Sequence, residues 1–178
     1  MLLGIVAARL SRPEISLLFD FFVTSQRLRR VLTDALVDAG MRPDEYAVYS
    51  LLLEKGPLTA TEMSEMLGMP LTTILDYLRA IDRAGHLVRT AHPFDGRSIE
   101  LSLNRSGLAA QRRANRHWEI ARKGIEAGLE VPLDQVRRSL RALDDAAHKA
   151  TEDAAERLRR SRVSRKASGY ASRARLMP

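Results

Sequence analysis

The chain has 178 residues, 45% of them apolar, with a formal net charge of +7 and no cysteine. That length suits one domain with extensions, and the missing cysteine excludes disulfides, thiolate zinc sites and thiol redox sensing. The charge is localised: eight of the 29 basic residues lie from Arg157 onward with no acid among them, which leaves 21 basic against 22 acidic residues. The body is therefore close to neutral, and a high pI alone proves no nucleic-acid binding by it.

The opening MLLGIVAARL is apolar only from Leu2 to Ala8. That is too short to span a bilayer, and no cleavage-site pattern follows, so a cytoplasmic protein without a membrane partner is expected. From Glu14 to Ala39, Leu18, Phe21, Phe22, Leu28, Leu32 and Leu36 recur at helical spacing until Gly40 and Pro43 stop the pattern. A second helix begins with Pro43 in its first turn, where Asp44 and Glu45 favour the helix dipole, and ends at Gly56-Pro57. In LTATEM, Thr59 is placed as N-cap with Glu62 closing a capping box, and Leu58 with Met63 as a hydrophobic staple.

This third helix runs to Leu67 and stops at Gly68. PLTTILDYLRAIDRAG then has Pro70 in its first turn, Leu71, Ile74, Leu78 and Ile81 on one stripe, and Gly85 as its stop. Two short helices joined by a tight turn form a helix-turn-helix. The period then changes to two: residues 87–91 and 98–103 read as strands, with Ile99, Leu101 and Leu103 on one face. With HPFDGR as the connecting loop they form a hairpin, which is not stable alone and must pack on the helices before it. Helix-turn-helix followed by hairpin is a winged helix.

Asn104 caps a helix from Arg105 to about Gly128. A last helix follows from Pro132, whose Val136, Leu140, Leu143, Ala147, Ala150 and Ala154 make an a/d seam awaiting a partner. From residue 159 to 178 the chain is basic with almost no apolar pattern, and an irregular tail is expected. The fold class is thus mainly α with a small β-hairpin, a winged helix-turn-helix over 43–104 between an N-terminal helix (1–42) and C-terminal helices (105–158).

GHLVRTAHPFDGRSIELSLNRSG resembles the wing signature of the MarR family of bacterial transcription regulators, carried by Gly85, Leu87, Val88, Arg89, Pro93, Asp95, Arg97, Leu103 and Gly107. Asn104 stands where the family usually has Thr and keeps the capping role. The resemblance covers roughly Leu17 to Leu158. It implies a homodimer held by the terminal helices, acting as a repressor on a pseudo-palindromic site in double-stranded DNA. It further implies that Arg97 enters the minor groove, where a narrow A-tract strengthens the negative potential, and that Asp95 braces the wing. The expected DNA-facing set is Thr61, Thr72, Thr73, Asp76, Arg79, Arg89, Arg97 and Ser98. On the helix after Pro70, Leu75 and Asp76 depart from the basic or small polar groups of many relatives.

A carboxylate can accept from cytosine N4 but repels phosphate, and a leucine can only touch a thymine methyl. Arg79 is either a phosphate or guanine contact or a solvated partner of Asp76 or Asp82. The resemblance also implies a small lipophilic or aromatic effector, with Phe22, Tyr46, Tyr49 and Trp118 as candidate pocket residues. His86, His92, His117 and His148 show no metal-ligand spacing, and no phosphate loop or nucleophile elbow occurs, so neither catalysis nor a cofactor is expected. The competing reading is a sequence-indifferent architectural binder that uses the basic tail.

Overall fold

A computed structural model describes residues 15–174, with side chains to Arg160. The first residues of the expected N-terminal segment and the last four of the tail lie outside the described residues. The chain divides into two compact units, Met1–Ile125 and Glu126–Pro178.

In the first unit, α1 (Leu17–Leu36) starts where the Ser16 hydroxyl accepts the Phe19 N–H at 3.2 Å. It begins three residues later than the apolar pattern indicates because the cap, not the periodicity, sets the first turn. A 3-10 turn over Val37–Ala39 closes at Gly40, whose φ of 63° suits glycine. Next, α2 (Pro43–Lys55) carries its proline at the first helical position. In α3 (Ala60–Leu67) the capping box is complete: Thr59 Oγ1 accepts the Glu62 N–H at 3.2 Å while Glu62 Oε2 accepts the Thr59 N–H at 2.7 Å. The bonds that the carboxylate accepts from the Thr59 N–H and hydroxyl hold the Glu62 carboxyl below the usual range. Pro70 occupies the N-cap of α4 (Leu71–Arg83) rather than its first turn.

Strands β1 (Leu87–Ala91) and β2 (Ile99–Leu103) pair antiparallel from Leu87 opposite Leu103 to Ala91 opposite Ile99. The sheet has one feature that the alternation of apolar residues does not announce. Leu58 exchanges both backbone hydrogen bonds with Leu101, at 3.0 and 2.8 Å, and so extends the hairpin by a one-residue bridge. Leu58 and Met63 are both buried, and Leu58 thereby ties the entrance of α3 to the wing. Leu101 and Leu103 face inward, whereas Ile99 is exposed, at the loop end beyond the core edge.

The core joins Val48, Tyr49 and Leu52 of α2 with Met63, with Ile74, Leu78 and Ile81 of α4, and with the two inward leucines of β2. Each fully buried Leu or Ile supplies about 1.5 to 3 kcal/mol relative to exposure, so this cluster is what makes the hairpin stable. Helix α5 (Arg105–Ala127) is capped by Asn104, whose Oδ1 accepts the Gly107 N–H at 3.0 Å and whose Nδ2 donates to the Gly85 carbonyl at 2.7 Å. Gly107 is required there, because a Cβ would stand 2.6 Å from the His86 carbonyl oxygen.

In the second unit, α6 (Leu133–Ala174) is a 42-residue helix, about 63 Å long at 1.5 Å per residue. None of its described side chains is buried; Leu140 is 54% exposed, although it belongs to the apolar seam. The helix continues to Ala174, through the stretch from Arg159 where an irregular tail is expected. Arginine, lysine and alanine make up nine of the sixteen residues from Arg159 to Ala174 and favour the helix, against Ser161, Ser164, Ser168, Ser172 and Gly169, which do not. A Glu156–Arg160 pair at i,i+4 supports the turn where this begins.

Candidate nucleic-acid interface

The helix-turn-helix and the hairpin leave a cleft between them, lined by Thr59 and Thr61 of the α3 entrance, Leu75 and Arg79 of α4, Arg89 of β1, and Arg97 and Ser98 of the loop. Three arginines from three separate elements thus converge on one hollow. Their starting states differ. Arg79 Nη1 pairs with Asp76 Oδ1 at 2.6 Å, and Arg89 Nη2 pairs with Asp82 Oδ2 at 2.9 Å. Among the described residues, no side chain pairs with the Arg97 guanidinium. Both ion pairs are exposed, so each is worth about 0 to 1 kcal/mol, and an incoming phosphate can displace the carboxylate at little cost.

The loop that presents Arg97 is held from both ends. Asp95 Oδ1 accepts the Arg97 N–H at 3.0 Å, Asp95 Oδ2 accepts the Ser98 hydroxyl at 2.7 Å, and the Asp95 carbonyl accepts the Ser98 N–H at 2.9 Å. The Ser98 hydroxyl and the Arg97 N–H hold the Asp95 carboxyl below the ordinary carboxylate range. On the other side, His92 Nδ1 accepts the N–H groups of Phe94 and Asp95 at 3.2 and 3.1 Å. Backbone N–H groups only donate, so Nδ1 is the acceptor and the ring proton sits on Nε2, which faces Glu100 Oε1 at 3.8 Å. The histidine is a brace that metal-ligand spacing could not reveal; its signal is a hydrogen-bonding ring two residues before a tight turn.

On its other side, α4 faces a second hollow lined by Thr73, Asp76, Tyr77, Arg79 and Arg83, with Arg42 from the start of α2. Arg42 lies over the Tyr77 ring at 5.3 Å, and Tyr77 donates to Asp44 Oδ2 at 3.1 Å, which also pairs with Arg29 at 3.1 Å. Arg42, the N-cap of α2, and Arg83, the last residue of α4, are absent from the expected DNA-facing set. Of that set, Thr61, Arg79, Arg89, Arg97 and Ser98 share the first cleft, Thr73 and Asp76 lie on the second, and Thr72 is exposed on the same helix.

The four candidate effector residues do not come together. Tyr46 stacks on Trp118 with ring centroids 4.4 Å apart and donates to Asn115 Oδ1 at 2.6 Å. Tyr49 lies in the other core cluster, hydrogen-bonded to His86 Nδ1 at 2.7 Å, and burial pushes its hydroxyl up to about 12. Phe22 is 58% exposed on α1. Tyr46 and Tyr49 lie three residues apart on α2, yet they pack into different core clusters.

A family profile described as the sugar-specific transcriptional regulator TrmB matches residues 36–92, from the end of α1 to the loop after β1. Solved structures match over more of the chain. The transcriptional regulator MOSR of M. tuberculosis, solved in complex with DNA, is 21% identical, with a TM-score of 0.67 over 76% of this chain and 98% of that one. A probable transcriptional regulator from Pseudomonas aeruginosa is 24% identical, with a TM-score of 0.64 over 74% of this chain and 98% of its own. The apo form of MarR from E. coli is 18% identical, with a TM-score of 0.60 over 75% of this chain and 98% of that chain. This chain has the fold of the MarR-type regulators. No curated protein sequence matches it. Within the MarR-type fold, the three-arginine cleft lies between the second helix of the helix-turn-helix and the wing.

Proposed function

We propose that the protein is a MarR-type DNA-binding transcriptional regulator that acts as a homodimeric repressor on a pseudo-palindromic operator. The observation that carries this reading is the convergence of Arg79, Arg89 and Arg97 with Thr59, Thr61 and Ser98 on one exposed cleft. Arginines and hydroxyls are the groups that fix a protein on the phosphate backbone, and an arginine on a rigid turn suits a narrow minor groove. In this reading α4 enters the major groove, with Thr72, Thr73, Asp76 and Arg79 toward it, and Arg97 enters the minor groove. The matching fold of MOSR, solved in complex with DNA, supports DNA binding by this chain.

Dimerisation is supported by the apolar residues that a single chain leaves uncovered. Leu17, Leu18, Phe21 and Phe22 are 67%, 71%, 51% and 58% exposed on α1, a group of large apolar side chains of the kind found at protein interfaces. A small lipophilic effector would act through the Tyr46–Trp118 stack, the one pair of the four candidates in contact. The decisive variant is Arg97→Ala, which lowers affinity for the operator by about 1 to 3 kcal/mol, roughly 5- to 150-fold. A fluorescence-anisotropy titration reads this, and an unchanged affinity would contradict the wing assignment.

A further inference from the structure

The wing tip presents a residue that arginine recognition does not use. Phe94 is 94% exposed, the highest value among the exposed large apolar side chains of the described residues. Single apolar residues at a surface are common and need no explanation by themselves. Here, however, the chain around the ring is fixed. His92 Nδ1 accepts the N–H groups of Phe94 and Asp95, and Asp95 in turn is bonded to Arg97 and Ser98. The phenyl ring also stands edge-on to the His92 ring, with centroids 6.2 Å apart and an interplanar angle of 68°. A turn with this many bonds holds the ring out in water instead of letting it fold back on the strands. Three residues further on is Arg97, which lines the cleft with Arg79 and Arg89.

We propose that Phe94 is an apolar minor-groove contact of the wing, packing on the deoxyribose walls beside the position of Arg97. This rests on the DNA-binding reading above and adds a second class of interaction to it. The groove walls are sugar C–H surface, and proteins that work in the minor groove use apolar side chains beside cationic ones. Because the turn is already ordered, little conformational entropy is lost when the ring docks. The phenyl ring carries no charge, and that gives it a signature distinct from that of an arginine. Removing a cation that neutralises a phosphate lowers the dependence of log K on log salt by about 0.9, whereas removing an apolar side chain leaves that slope alone.

The test compares the full-length wild type with Phe94→Ala, Phe94→Leu and Arg97→Ala. Each is titrated into a labelled duplex taken from the DNA flanking the protein's own gene, with a random-sequence duplex as reference, over a series of salt concentrations. Phe94→Ala is expected to bind about tenfold or more weakly at an unchanged salt slope, as burial of a phenyl ring implies. Phe94→Leu retains most of the affinity, and Arg97→Ala lowers affinity and slope together. Because Phe94 is exposed, its truncation does not threaten the fold, and a matching thermal melt verifies that. If the wild type binds and Phe94→Ala binds within twofold of it, the inference is overturned while the DNA-binding reading stands. A reduced slope or an altered oligomeric state for Phe94→Ala also overturns it, assigning the ring to wing integrity or to a protein interface. If the wild type binds neither duplex, the DNA-binding reading itself fails.

Discussion

Asp95 shows how one carboxylate sets the geometry of a loop. It receives a side-chain hydroxyl and a backbone N–H, and these bonds lower its affinity for a proton relative to an unfolded chain. A group whose folded pKa is depressed stabilises the structure above its unfolded pKa, and the contribution disappears as pH falls through the folded value. The wing turn should therefore be intact at neutral pH and loosen only in acid below the ordinary carboxylate range. Following the Arg97 and Ser98 amide resonances by NMR checks this, and Asp95→Asn should shift those resonances at neutral pH without a change in the core. Amides that stay unmoved in both cases would remove Asp95 as the brace. Asp95 and Arg97 are singled out in the sequence through the resemblance to a family wing signature, since an Asp-x-Arg triplet by itself reads as a solvated turn. The His92 brace and the exposed Phe94 are not singled out, since both depend on how the loop closes in three dimensions.

At the level of elements, the order of helices and strands is legible because caps, glycines and apolar periodicity agree through α2, α3 and α4. Thr59 and Glu62 form the box that their spacing indicates, and α4 buries the stripe of Ile74, Leu78 and Ile81. Pairings between distant segments are not legible. Leu58 bonding to Leu101 and the separation of Tyr46 from Tyr49 arise from packing, which local pattern does not encode. Gly107 is the clearest element-scale constraint, because α5 approaches the His86 backbone too closely for any side chain. Gly107→Ala would trade a better helix propensity for a backbone clash, and the clash wins: a destabilisation of about 1 to 3 kcal/mol is expected. Thermal or urea unfolding measures this, and a stabilised variant would show that α5 can move away without cost.

For the whole molecule, α6 and its basic end form the part whose role the sequence leaves most open. Apolar periodicity ends near Leu158 and suggests that order ends there too, yet the helix persists to Ala174. A charged helix can still serve as a general phosphate-binding arm. Removing residues 161–178 should lower affinity almost equally for operator and random DNA and reduce the salt slope, by about 0.9 for each phosphate that the arm neutralises. Binding measured on both duplexes checks this, and a weakening confined to the operator would place the tail in sequence recognition instead.

The proposed homodimer sets two winged units astride one DNA site, and a nuclease footprint of the protein on the DNA flanking its own gene reads that arrangement. At roughly physiological salt, where nonspecific phosphate binding is weak, the predicted result is one protected, near-palindromic site about two helical turns long. Protection without preferred positions that fades as salt is added would contradict it, and would assign the binding to the basic end of α6.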